Sequence, residues 1–144
     1  MKNKFLTLTS IILLVGICIS SCSKDEGTSA PVDHPMVAKL KMNEWMISAQ
    51  TLNGNDVFSS KDPCEKDDSY VFKADSVCMR NENTIECDPT NPGPFTSEWF
   101  FNDDYTELTF DLSDYKILEF TSSILKVQEI SGTGAVFIST LEPK

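Results

Sequence analysis

The sequence predicts an all-β fold, a small eight-stranded antiparallel up-and-down barrel. From residue 38 onward, short apolar-polar alternations are separated by turn residues. Eight such runs follow one another with mostly local connections, and no window of about 12 residues carries a helical period. Consecutive antiparallel strands leave two open edges, and closure into a barrel removes them. A two-sheet sandwich is the alternative.

The chain opens with a leader. Lys2 and Lys4 give residues 1–21 a positive start, "FLTLTSIILLVGICI" is apolar, and the small residues Ser20 and Ser21 precede Cys22. The apolar-rich stretch is roughly 15 residues, short of the roughly 20 that span a bilayer. Ile19-Ser20-Ser21-Cys22 resembles the bacterial lipobox, which implies that Cys22 is acylated and begins the mature chain. Several acyl chains anchor stably where one does not. "SKDE" follows at once and resembles the acidic export signal of surface lipoproteins in Bacteroidota-type bacteria. The expected location is the outer membrane, lipid-anchored and facing the cell surface, with the periplasmic face as the alternative.

Net charge is −10, and removing Lys2 and Lys4 with the leader takes it to −12. Nucleic acid and anionic lipid surfaces both require basic patches, so neither is an expected partner. Residues 22–37 are polar and rich in Pro, Gly and Ser, and read as a tether between lipid and domain. His34, the sole histidine, falls in it and is expected to be solvated.

The barrel domain is assigned to residues 38–144. "VAKLKM" at 37–42 allows one helical turn before the first strand. "WMISAQT" places Trp45, Ile47 and Ala49 on one face, and Asn53-Gly54 then signals a tight turn. "SYVF" and "SVCMRN" form a hairpin around "KAD", and "ENTIECDPTNPGPFTS" is irregular, with three prolines. "EWFF", "NDDYT" and "ELTFD" make a second hairpin; "DYKILEF", "ILKVQEI" and "AVFISTL" complete the eight.

"NEWMISAQTLNGNDV", "CEKDDSYVFKADS", "ECDP" and "EWFFNDDYTELTFD", in that order, resemble the lipocalin-like domain of Bacteroidota lipoproteins over roughly residues 38–142. The family opens its first strand with Gly-x-Trp, where this chain has Asn43-Glu44-Trp45. Asn tolerates a left-handed backbone, so the turn is expected to survive. A turn glycine is also missing at Ser76, and Cys78-Met79 replaces the family's Gly, Thr or Tyr.

Five cysteines divide by position. On the lipobox resemblance Cys18 is expected to leave with the leader and Cys22 to carry lipid. Cys64, Cys78 and Cys87 remain in an oxidising compartment, where three single bridges are open. The resemblance pairs Cys64 with Cys87, both in charged, turn-like surroundings. Cys78 then reads as a small buried hydrophobe, with a reactive thiol or an intermolecular bridge as alternatives.

Sites for chemistry are scarce. A single tether histidine supports no Ser-His-Asp or Cys-His set, no phosphate loop or nucleophile elbow appears, and the cysteine spacings match no zinc pattern. Asp67-Asp68 and Asp103-Asp104 read as solvated turn carboxylates, without calcium spacing. Asp75-Ser76-Val77 resembles a short O-glycosylation site of exported Bacteroidota proteins. No cofactor or metal and no enzymatic activity are expected.

The expected function is non-catalytic binding of a small apolar or amphipathic molecule, with Trp45, Phe72, Trp99 and Phe110 as the pocket wall. Against this stands a barrel filled by its own aromatics. It would act on an envelope protein partner as an accessory module, or as an inhibitor of a secreted hydrolase.

Overall fold

The alternation from residue 38 onward resolves into ten pairing segments in the computed structural model, which describes residues 33–130 and 132–144. The segment expected to be a leader, Cys18, the expected lipidation site Cys22 and most of the expected tether lie outside the described residues. In chain order the elements are α1 (Pro35–Lys41), β1 (Glu44–Leu52), β2 (Asn55–Asp56), α2 (Pro63–Lys66), β3 (Ser69–Phe72) and β4 (Val77–Asn81). Then come β5 (Phe95–Glu98), β6 (Phe100–Phe101), β7 (Glu107–Phe110), β8 (Ser113–Phe120), β9 (Leu125–Glu129) and β10 (Phe137–Pro143). Among the described residues no helix is long and apolar enough to cross a membrane.

The sheet runs β5-β4-β3-β1-β10-β9-β8-β7-β6, with every pairing antiparallel. β5 and β6 are one stretch of chain interrupted at Trp99, so both ends of the sheet meet in it. The leading half pairs with β4 and the trailing half with β7. With β2 a two-residue flap on β1, the result is eight staves of a nearly closed up-and-down barrel. The single strand expected from "EWFF" is thus two short segments, and pairing starts earlier, at Phe95, inside the stretch read as irregular. The indole accounts for the break: Trp99 is buried, its amide bonds Ser76 O at 2.9 Å, and its ring nitrogen donates to Lys73 O at 2.9 Å.

Two bulges set which side chains face inward. Ser48 is an extra residue between Ile47 and Ala49 in the β1–β10 register. A bulge inverts the face of everything beyond it, so Ala49 is exposed and Gln50 is buried. The expectation that Ala49 shares the face of Trp45 and Ile47 is corrected accordingly. Leu118 plays the same part on β8, turning Glu119 outward and Phe120 onto the core.

The turns follow the residues that can adopt them. Asn53 and Gly54 have φ of 51° and 83°, the positive pair that a two-residue hairpin loop requires. Ser76, where the resemblance leads one to expect a glycine, keeps the left-handed conformation at φ 62°. Asn43 does not adopt it; its side chain instead donates to Ser122 O at 3.1 Å, tying the entry of β1 to the β8–β9 turn.

α1 begins at Pro35, inside the segment read as tether. Proline at the first helical position has its φ preset, and His34 Nδ1 accepts from Met36 N at 3.3 Å as the cap. His34 is exposed as expected, but its ring stacks on Tyr105 at 3.6 Å. Leu40 is buried and Val37 packs on the core, so α1 closes the barrel end where β1 starts.

Candidate functional site

The barrel is apolar at the end closed by α1. Trp45 is fully buried, donates from Nε1 to Leu40 O at 2.9 Å, and leans on Phe120. Phe72 meets Trp99 and Phe110 edge to face, with centroids 5.7 and 5.4 Å apart, a favoured aromatic geometry. Leu108, Leu125, Val127 and Leu141 fill the remaining space. The four predicted wall residues are therefore core. Trp45 and Phe72 line none of the cavities described below, Phe110 borders one at the barrel mouth, and Trp99 borders a groove of about 360 Å³ beside α1. That groove is walled also by Val37, Phe101 and Tyr105.

Towards the other end the inward positions turn polar, two residues at a time. Phe72 gives way to Tyr70 along β3 and then to Asp68 just before it, and Cys78 to Arg80 along β4 and then to Glu82 just after it. On β9 Val127 gives way to Glu129, on β10 Leu141 to Ser139, and past the bulge of β1 Ile47 gives way to Gln50. Two cavities of about 200 and 210 Å³ lie in this mouth, sharing Ile47, Lys61, Tyr70 and Arg80 as walls.

Arg80 organises the mouth. Its Nη1 donates to Asp111 Oδ2 at 3.4 Å, its Nε lies 3.9 Å from Asp68 Oδ2, and its guanidinium sits over Phe95 at 4.9 Å. Tyr70 Oη donates to the same Asp111 oxygen at 3.4 Å. Asp111 is held by its own backbone, whose amide donates to Ser97 Oγ at 3.0 Å. It is the first of two left-handed residues in the β7–β8 turn, Asp111 at φ 47° and Leu112 at φ 64°. Gln50 is 7% exposed; its Nε2 donates to Ser139 Oγ at 2.9 Å, while its Oε1 has no partner among the described residues.

Burial dominates the electrostatics. It pushes the Asp68 carboxyl up to about 6; Arg80 opposes this, and Glu82, Asp67 and Asp111 reinforce it. Tyr70 is driven up by burial with Asp111 beside it, and Tyr115 reaches about 12, again chiefly through burial. Cys78 is a free, buried thiol pushed to about 12 by the same cause, the opposite of what a nucleophile needs.

A cross-linked flap covers part of this mouth. Cys64 on α2 is bonded to Cys87, with Cα atoms 5.2 Å apart, and Cys87 lines the second cavity. Asp67 Oδ2 accepts from the amides of Thr84 and Ile85 at 2.8 and 3.0 Å, and Asn83 Nδ2 donates to Asp67 O and Ser69 Oγ. The Asp67-Asp68 pair, expected to be solvated, is therefore structural: one residue clamps the loop and the other enters the barrel. Asp103 and Asp104 are exposed as expected, with Asp104 Oδ1 accepting from Thr106 Oγ1 at 2.7 Å. Among the described residues no group of three or more His, Cys, Asp or Glu is placed to hold a metal.

The polar residues of the mouth were not chosen from sequence. A signal for two of them was present: Arg80 stands two residues beyond Cys78 and Asp68 two before Tyr70, both in the inward phase. Gln50 was hidden by the bulge, and Asp111 by a turn whose conformation its residue types do not announce. Compared with known proteins, the chain matches no family model and no curated protein sequence.

Proposed function

We propose that this protein is a lipid-anchored, non-catalytic binding protein of the outer membrane whose ligand site is the polar mouth of a lipocalin-like barrel. One observation carries the reading: the inward-facing positions change from apolar to polar along the staves, leaving cavities of about 200 Å³ where buried Gln50 Oε1 has no partner among the described residues. A buried, unpaired acceptor is costly, and a cleft joining an apolar floor to a few converging polar groups is the usual form of a small-molecule site. The volume lies below the roughly 300–1,000 Å³ of drug-sized pockets. The ligand is therefore small, and amphipathic rather than wholly apolar, with its apolar part against Phe110 and Leu141. The anchor is the acylated Cys22, on the lipobox resemblance.

A second reading has its own support. Leu112 is 92% exposed and Ile130 50% exposed, and both belong to connections at the mouth end, Leu112 between β7 and β8 and Ile130 just after β9. Such side chains suit an envelope protein partner and would make the domain an accessory or inhibitory module.

Native mass spectrometry of the full chain, purified gently from its own envelope, separates the two. A small molecule that rides with the protein and leaves on denaturation supports the binder, together with acyl chains on Cys22. A bare barrel that travels with a second protein favours the partner reading, and a mass retaining the leader removes the anchor.

A further inference from the structure

We propose that the mouth cavity receives the ammonium group of a compact primary amine on a short aliphatic chain. The inference rests on the reading of the mouth as a ligand site and specifies the chemistry of its occupant.

Unpaired hydrogen-bonding atoms fix the polarity. Asp68 Oδ1 and Glu82 Oε2 in the second cavity and Gln50 Oε1 in the first, the two joined at their shared walls Ile47, Lys61, Tyr70 and Arg80, are buried acceptors without a partner among the described residues, and Arg80 Nε is the only donor in that state beside them. A ligand that satisfies this wall must bring donors, and a primary ammonium brings three N–H groups on one atom. Charge points the same way. The second cavity is lined by three carboxylates, Glu65, Asp68 and Glu82, against Lys61 and Arg80, while in the first Asp111 and Glu129 balance the same two cations, so the negative excess lies on the Asp68–Glu82 side. Lys61 already pairs with Glu65 at 3.4 Å, and Arg80 lies between Asp68 and Asp111. An anion would have to displace a carboxylate from Arg80, and a neutral polyol would use the acceptors without offsetting the charge. Only a cation does both.

Aromatic side chains and size narrow the class. Tyr115 and Phe137 line the first cavity, and aromatic faces attract cations. At about 200 Å³ and about 30 Å³ per water in the liquid, the space suits roughly seven heavy atoms. Ile47 and Leu141 offer an apolar wall for the alkyl part.

Isothermal titration of the full acylated chain in detergent micelles tests this, with n-butylamine, 1-butanol and butyrate as probes of one size. Butylamine is expected to bind about tenfold or more tightly than either other probe at pH 7.5, the scale of one hydrogen bond to a charged group. Glu82→Gln, which keeps shape and removes charge, is expected to weaken butylamine severalfold and leave 1-butanol unchanged. Asp68→Asn, on the same side of the mouth, provides a second variant should the first fail to fold. Tighter binding of butyrate or 1-butanol overturns the amine class while leaving the mouth as a ligand site. No binding by butylamine also overturns it, and the native mass then decides separately whether any ligand occupies the mouth.

Discussion

Arg80 and Asp111 meet at 3.4 Å inside the barrel mouth although 31 residues separate them in sequence. Neither is a conventional core residue. Arg80 faces inward because β4 alternates, and Asp111 because the β7–β8 turn is left-handed at two successive non-glycine positions. With Asp68, just before β3, the pair makes a polar mouth above an aromatic floor, and much of what can be tested follows from that division.

Asp68 makes stability depend on pH. Its folded carboxyl sits near 6, against 3.8 ordinarily, through burial first, with Glu82, Asp67 and Asp111 adding to the rise and Arg80 opposing it. Between these values the folded state binds the proton that the unfolded chain releases, so this contribution to stability is lost as pH rises through 6. Thermal melts are expected to show Asp68→Asn raising Tm at pH 7.5 with little effect at pH 4.5. An equal shift at both values would mean that the residue acts through packing instead.

The cross-link between Cys64 and Cys87 closes a loop of sequence separation 23. The chain-entropy account assigns such a loop about 3 kcal/mol. Urea unfolding of the Cys64→Ser/Cys87→Ser double variant should lose about that much, and hydrogen exchange should rise at Thr84 and Ile85, whose amides Asp67 clamps.

Trp45→Phe keeps an aromatic ring but removes the indole N–H that Leu40 O accepts at 2.9 Å at a fully buried site. The lost bond and the small void together cost about 1–3 kcal/mol. Guanidinium unfolding followed through Trp99 fluorescence measures it, and an unchanged midpoint would show that α1 is held by Leu40 and Val37 alone.

Ser76 holds φ 62° at an exposed turn. A left-handed backbone costs a non-glycine residue about 1 kcal/mol, so Ser76→Gly is expected to stabilise by several tenths to about 1 kcal/mol once the added freedom of the unfolded chain is subtracted. The same comparison applied to Leu112 is confounded by its 92% exposure, which makes Ser76 the cleaner position for a denaturant titration.

Cys78 is 1% exposed, with its thiol pushed to about 12 by burial. Iodoacetamide at pH 8 is expected to leave it unmodified in the native protein and to alkylate it fully in denaturant, as intact-mass measurement would show. Rapid native labelling would restore the reactive-thiol alternative.

Strand number, order and antiparallel sense were legible from alternation and turn residues, and the family resemblance paired Cys64 with Cys87. What escaped were features that alternation cannot carry. A bulge at Ser48 moves Gln50 inward without changing composition, and the strand at Phe95 follows three prolines that argue against one. Of the wall assigned to Trp45, Phe72, Trp99 and Phe110, all four pack into the core and only Trp99 and Phe110 also border a cavity, because large apolar side chains pack on one another wherever the topology allows it. The polar mouth escaped because a polar residue in an inward phase is informative only beside its partner, and Asp68, Arg80 and Asp111 are joined by the barrel and not by the chain.

Pairing of β1 with β10 joins residues 44–52 to residues 137–143. A chain folded only as far as β9 holds two strands with an unoccupied side, β1 and β9, and its ring is an open ribbon. Closure waits for the last stave whatever the order in which the hairpins form. Loss of those seven residues by proteolysis or a premature stop would expose two edges at once, each a template for pairing with another copy. Docking of β10 between β1 and β9, rather than the formation of any earlier hairpin, is thus the step at which the molecule stops offering these two edges.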